Sequence, residues 1–154
     1  MRYLSRGAAL ILLLNACANP TGLSDLRVGA GLTEVYSAAM SNLPVPANRL
    51  VRDEAAWTAL WDSLQAVEAQ PPVDFAAQEL LVASLGTQPS GGYVIHVDSL
   101  QDAGTHRTAF VTTYRPGSGC AVATVFTQPV HVVATPARDT PIAFVERTRT
   151  YSCE

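Results

Sequence analysis

Sulfur is the most reactive element this chain offers, on Cys17, Cys120 and Cys153. A thiolate is a strong nucleophile only beside a base or positive charge that lowers its pKa. Whether such a neighbour stands beside Cys120 is a matter of geometry that the sequence does not give. His96, His106 and His131 are scattered, with no i, i+4 pair and no C-x-x-C, so the spacing of a zinc site is missing. His96 and His106 flank one expected hairpin, where they could approach each other, but all three read as ordinary strand histidines. Ser90 and Ser118 lie in Gly-rich loops, but neither occupies a G-x-S-x-G elbow, and both read as turn serines. The glycines at 91, 92, 117 and 119 precede no Walker pattern, and the chain has no lysine to complete one. No carboxylate pair for glycoside hydrolysis stands out. The chain is therefore read as a non-enzyme without metal or cofactor.

The amino terminus carries a more specific signal. Arg2 and Arg6 form a short positive region ahead of the uninterrupted apolar run from Gly7 to Leu14. Crossing a bilayer takes roughly 20 apolar residues, and this run stops at Asn15, the length of a signal-peptide core. Leu14-Asn15-Ala16-Cys17 resembles the bacterial lipobox: a small residue before the scissile bond, then a cysteine whose thiol takes a diacylglycerol. Each buried methylene contributes about 0.8 kcal/mol, so two or more chains anchor stably. Residues 1–16 are expected to be removed and Cys17 to hold the chain to a membrane. Ala18, rather than Asp, follows the cysteine, which favours the outer membrane. With Cys17 lipidated, Cys120 and Cys153 remain, and an even number in an oxidising compartment suggests a bridge. A reactive Cys120 is the rival reading.

Removing Arg2 and Arg6 leaves 8 basic residues (10 minus 2) against 13 acidic ones, a net charge near −5. All the basic residues are arginine, which reads as compositional bias. No basic patch survives for nucleic acid. Charged residues make up only 15% of the 154 and hydrophobic ones 48%, enough for the packed core of one domain.

The elements that would position these residues follow from periodicity. Residues 18–32 are rich in Gly, Pro and polar side chains and read as a tether, spanning roughly 20 Å if flexible. The folded part, residues 33–154, opens with short strands at Glu34–Tyr36 and Arg49–Val51. Asp53 is placed as an N-cap, and Trp57, Leu60, Trp61 and Leu64 form one helical stripe, so a helix is expected over residues 54–68. Both tryptophans are read as core. Leu80–Leu85 reads as a buried strand, then Tyr93–Leu100, Thr108–Tyr114, Val122–Ala134 with Pro129 at a bulge or edge, and Ile142–Tyr151. Tight turns between short strands favour an α+β domain: one antiparallel sheet of about five to six strands, with one amphipathic helix packed on one face.

Three segments, read in order, carry a family resemblance. They are Asp53-Glu54-Ala55-Ala56-Trp57 with Trp61 and Pro72-Val73-Asp74-Phe75; then Ser90-Gly91-Gly92-Tyr93-Val94-Ile95; then Arg115-Pro116-Gly117-Ser118-Gly119-Cys120, continuing to Phe126-Thr127-Gln128-Pro129 and Val130-His131-Val132-Val133. Over residues 49–136 this order resembles the PrcB C-terminal domain family, exported bacterial domains named for a subunit of a surface protease complex. The resemblance implies a non-catalytic accessory role, binding or stabilising a protease, and supplies no catalytic residues. A looser similarity links Pro89–Tyr93 and Arg115-Pro116 to the loops of chagasin-type cysteine-protease inhibitors, without the aromatic residue that follows their proline.

The functional expectation is a lipid-anchored protein-binding module of the cell envelope. A periplasmic protease inhibitor is the second reading and a hydrolase using Cys120 the third. The contact loops are expected at Ser90, Gly91, Gly92 and Tyr93 and at Tyr114, Arg115, Pro116 and Gly117, which meet at one end of the sheet if their strands pair. Tyr93 or Tyr114 would anchor the contact and Arg115 would pair with a carboxylate of the partner, an unidentified envelope protein.

Overall fold

The computed structural model describes residue 23 and residues 26–153; the apolar run, the lipobox and Cys17 lie outside the described residues. Seven strands and one helix follow in the order β1 (Thr33–Ala38), β2 (Ala47–Val51), α1 (Glu54–Leu64), β3 (Gln78–Ser84), β4 (Val94–Asp102), β5 (Arg107–Pro116), β6 (Val130–Pro136) and β7 (Ile142–Tyr151). The class is α+β, but the single sheet expected from sequence is two. One is antiparallel with the order β1-β6-β3-β2; the other has the order β4-β5-β7. In the second sheet β4 and β5 are antiparallel, whereas β5 and β7 run parallel. The chain leaves β5 for the other sheet, descends through β6 and climbs back as β7, so β7 must share the direction of β5.

The layering explains the unbroken apolar run in β3. Leu80 and Val82 turn toward the helix with Val132 and Ala134, whereas Leu81 and Ala83 turn toward the second sheet with Val133. Side chains alternate across a strand, so covering both faces of the four-stranded sheet requires apolar residues at every position. The helix supplies one cover through Trp57, Leu60, Trp61 and Leu64, all buried. Ile95 and Val97 of β4 and Ala109 and Val111 of β5 supply the other.

The helix starts where the sequence places it. Asp53 accepts a hydrogen bond from Ala56 N–H at 2.8 Å, satisfying one of the free donors of the first turn. It ends at Leu64, four residues sooner than expected. Gln65 adopts a left-handed conformation with φ 51° and closes the last turn through its N–H to Asp62 O. The next stripe position, Glu68, has nothing apolar to bury, and Val67 is fully exposed. Trp57 is wholly buried, donates from Nε1 to Pro71 O at 3.0 Å and meets Trp61 edge-on at 5.2 Å, so both tryptophans are core.

Two further segments differ from the sequence reading. The strand expected over Val122–Ala134 survives only from Val130, because β1 and β3 end at Ala38 and Ser84 and leave no ladder beyond that point. Pro129 adds no N–H of its own, and its carbonyl accepts from Leu85 N at 2.9 Å. The end of the segment read as a tether docks on the domain. Leu32 is buried, Val28 packs beside the same cluster, and Gly29 N–H donates to Asp98 O at 2.8 Å.

Candidate functional site: an uncharged loop pole

Strand ends gather three loops at one end of the molecule. Ala38, Val130, Ser84 and Ala47 pair in one row across the first sheet. In the second sheet β4 begins at Val94 opposite Tyr114, and Pro116 pairs with Tyr151. The loops 39–46, 85–93 and 117–129 therefore share a pole, and backbone bonds stitch them together. Gln128 N donates to Ala39 O at 3.0 Å, Gln88 and Thr127 exchange bonds at 2.8 and 3.1 Å, and Gly91 N donates to Ala123 O at 2.8 Å.

The three loops carry no formal charge. Residues 39–48, 80–97 and 116–137 contain no Asp, Glu, Arg or Lys. Large apolar side chains nevertheless stand in solvent there: Phe126 at 69% exposure, Val45 at 67%, Met40 at 61% and Val125 at 46%. The opposite pole collects Arg52, Asp53, Asp74, Glu79, Arg107 and Arg138 at strand and helix ends. A cavity of about 280 Å³ opens there, but its Arg52 and Glu79 already bond each other at 2.9 Å. A cavity of about 190 Å³ at the uncharged pole is lined by Ala38, Tyr93, Ile95 and Pro129 among others.

The residues expected to form contact loops are brought together, in supporting positions. Ser90 O accepts from Thr127 Oγ1 at 2.8 Å, and Gly92 O accepts from Tyr151 OH at 2.8 Å. Gly92 has φ +84°, and a side chain there would lie 2.8 Å from Tyr151 Oη and from Val122 Cγ1. Only glycine fits, because the loop backbone passes directly against β7 and the 120s loop. Gly117 N donates to Tyr151 O at 2.9 Å. Tyr93, Tyr114 and Pro116 are half-buried, and Arg115 is exposed. Cys120 and Cys153 are joined by a disulfide with Cα atoms 5.0 Å apart at this same pole. The sequence reading passed over Phe126 and Val125 as strand residues. The absence of any charge from Pro116 to Ala137 was the available signal.

Beside the pole, His96 meets His131 rather than His106, which is exposed. The rings stack 4.5 Å apart at the free edge of β4. Val97 N–H donates to His131 Nδ1 at 2.9 Å, which fixes His131 as a neutral ring with its proton on Nε2, facing Glu34 Oε2 at 3.1 Å. His96 Nδ1 lies 3.1 Å from Asp98, whose other oxygen accepts from Thr112. Burial lowers the His131 pKa below the ordinary histidine value, with Glu34 opposing and His96 assisting. Burial works to raise the Asp98 pKa, but hydrogen bonds from His96 and Thr112, helped by the charges of His96 and Arg149, outweigh it and hold the pKa low.

The neutral form of His131 is the one that folding favours, so the unfolded chain binds the extra proton. Its stabilisation is complete above the ordinary value near 6.5 and is lost as pH falls below it. The urea midpoint is expected to fall steadily from pH 7 to pH 5. A His131→Leu variant, less stable at pH 7 because Val97 N–H loses its acceptor, shows a flatter slope over that range. An unchanged slope would remove His131 as its source.

The two-sheet α+β domain thus closes one end with loops that carry no formal charge and present apolar side chains. Residues 80–136, from β3 to the end of β6, match the family model described as PrcB C-terminal. This is the family the sequence resembles, and the matched stretch contains both Gly-rich loops. The helix-side segment Asp53–Phe75 lies outside it. No curated protein and no solved structure matches the chain.

Proposed function

We propose that this protein is a non-enzymatic binding module of the cell envelope, held to the outer membrane through lipid on Cys17, and that it serves as an accessory or stabilising subunit of a protease. The observation that carries this reading is the uncharged pole with Phe126, Met40, Val45 and Val125 in solvent. Exposed apolar side chains grouped on a surface mark contact sites, and aromatic anchors supply most of the energy in such contacts. The family match adds the protease as the kind of partner.

The test is recovery of partners from envelope extract by a lipid-free form of the chain, beside its Phe126→Asp variant and a Tyr93→Ala, Arg115→Ala variant. A protease is expected with the unchanged chain and lost with Phe126→Asp, and the double variant binds more weakly. Equal recovery by all three would refute the pole as the contact. Intact mass of the membrane-extracted protein reports the lipid directly. A mass retaining residues 1–16 with an unmodified Cys17 excludes the anchor.

One observation favours inhibition as the second reading. Loops 88–93 and 116–120 lie side by side, with Pro116 Cγ 3.3 Å from the position a Gly92 side chain would take. Adjacent loops of this kind can enter an active-site cleft. Stoichiometric inhibition of a papain-like or serine protease would decide for this reading.

A further inference from the structure

The two edges of the second sheet are treated differently. On β4 a register shift between Val97 and Ser99 turns Val97 N–H and Asp98 C=O away from β5. Both are covered, the first by His131 Nδ1 at 2.9 Å and the second by Gly29 N–H at 2.8 Å. On β7 nothing comparable occurs. The strand pairs with β5 in unbroken register from Ile142 to Tyr151, without bulge or internal proline.

The geometry tells which groups of β7 are open. Arg107 N donates to Pro141 O, and Gly117 N donates to Tyr151 O, so the odd-numbered residues turn their backbone groups toward β5. Alternation then directs the N–H and C=O of Ile142, Phe144, Glu146, Thr148 and Thr150 to the free edge. Among the described residues no backbone group bonds to them. Residues 145–150 are all exposed.

We infer that β7 accepts an extended segment of another protein as a fourth strand, and that this segment carries acidic side chains at two alternate positions. Ile142 and Phe144 pack inward, so the odd-numbered side chains occupy the outer face. Arg147 lies over the Phe110 ring at 4.7 Å, and Arg149 follows two residues on. Glu146, on the inner side, is already held by Asn48 Nδ2 at 2.5 Å. The outer face thus offers two like positive charges, that of Arg149 also felt by Asp98, and an incoming strand with acids opposite them gains both pairs.

A second copy fits worse. Two-fold pairings centred on residues 146, 147 and 148 bring Glu146 against Glu146, Arg147 against Arg147, or Arg147 against Arg149. Like charges directly opposite are destabilising. This surface is separate from the loop pole, and Phe126→Asp leaves it unchanged.

The probe is a labelled, capped nine-residue peptide of alternating threonine and valine, with aspartate replacing two successive threonines, titrated with the full chain at low salt. Saturable binding is expected, weakened about tenfold when lysine replaces both aspartates, the size of two cross-strand charge pairs. Thr148→Pro removes an outward N–H and leaves the β5 ladder intact, so it folds and loses the peptide. The reciprocal test needs no variant: methylating the peptide amides that face β7 abolishes binding, and methylating the alternate set spares it. Absence of saturable binding up to about 1 mM, or equal loss with both methylated sets, would overturn the inference. Concentration-dependent dimerisation blocked by Thr148→Pro would assign the edge to a second copy instead.

Discussion

Replacing Glu79 with Ala is expected to lower stability by about 3–5 kcal/mol, read from the urea midpoint at unchanged slope. The carboxylate sits 1% exposed between two guanidinium groups, one of which, Arg107, is also 1% exposed. Arg52 Nε reaches Glu79 Oε2 at 2.9 Å, and Arg107 Nη1 donates to Oε1. Each arginine also donates from Nη2 to the carbonyls of Arg138 and Thr140, at 3.0 to 3.1 Å. One buried anion therefore ties β3 of the first sheet to β5 of the second and to the loop between β6 and β7. Without it, Arg107 keeps its charge in a place that water does not reach, and the penalty is that of an uncompensated buried ion. Arg52 is 44% exposed, so Arg52→Ala is expected to cost no more than about 1 kcal/mol. The effect of Glu79→Ala should also persist in high salt, since screening acts on exposed pairs. Removing both buried partners together, Glu79→Leu with Arg107→Leu, is expected to recover most of the loss. Equal costs for Glu79→Ala and Arg52→Ala would show that the anion is not what joins the sheets.

That network also shows where sequence reasoning stops. Periodicity placed the start and the buried stripe of α1, though not its end, because the Trp57–Leu64 stripe and the Asp53 cap are local, each decided within a turn or two of chain. It placed β3 as buried for the same local reason. It did not show that β3 is covered on both faces, since the second sheet that covers it comes from β4 and β5. Nor did any spacing show that Glu79 and Arg107, 28 positions apart, would pair across two sheets. The stretch Val122–Gln128 looks like a strand by residue type alone. Strand formation needs a partner edge, and both neighbouring strands end at Val130. Within the candidate site, the Gly-rich loops were legible from their turn chemistry. The apolar tip at Phe126 was hidden by that same strand assignment, and the His96–His131 stack by the distance along the chain between its members.

Substituting Ser for both Cys120 and Cys153 is expected to cost about 3–4 kcal/mol in the chain-entropy view, because the bridge closes a long loop in the unfolded chain. The two positions are 33 residues apart, and the bond fastens the segment that follows β7 to the loop that leaves β5. The consequence is local as well as global. Tyr151, two residues before Cys153, receives Gly117 N–H on its carbonyl and donates its hydroxyl to Gly92 O. Both Gly-rich loops thus lean on a segment that the disulfide holds in place. In the double Ser variant the amides of Gly117 and of position 120 are expected to exchange with solvent faster than those of β3. Partner recovery should then fall even at temperatures where the domain stays folded. Reductant should reproduce the variant in the unchanged protein. If native, unreduced protein instead takes up an alkylating reagent at Cys120, no bridge exists. The thiol would then be free for chemistry, and the scaffold reading of this pole would give way to the nucleophile reading.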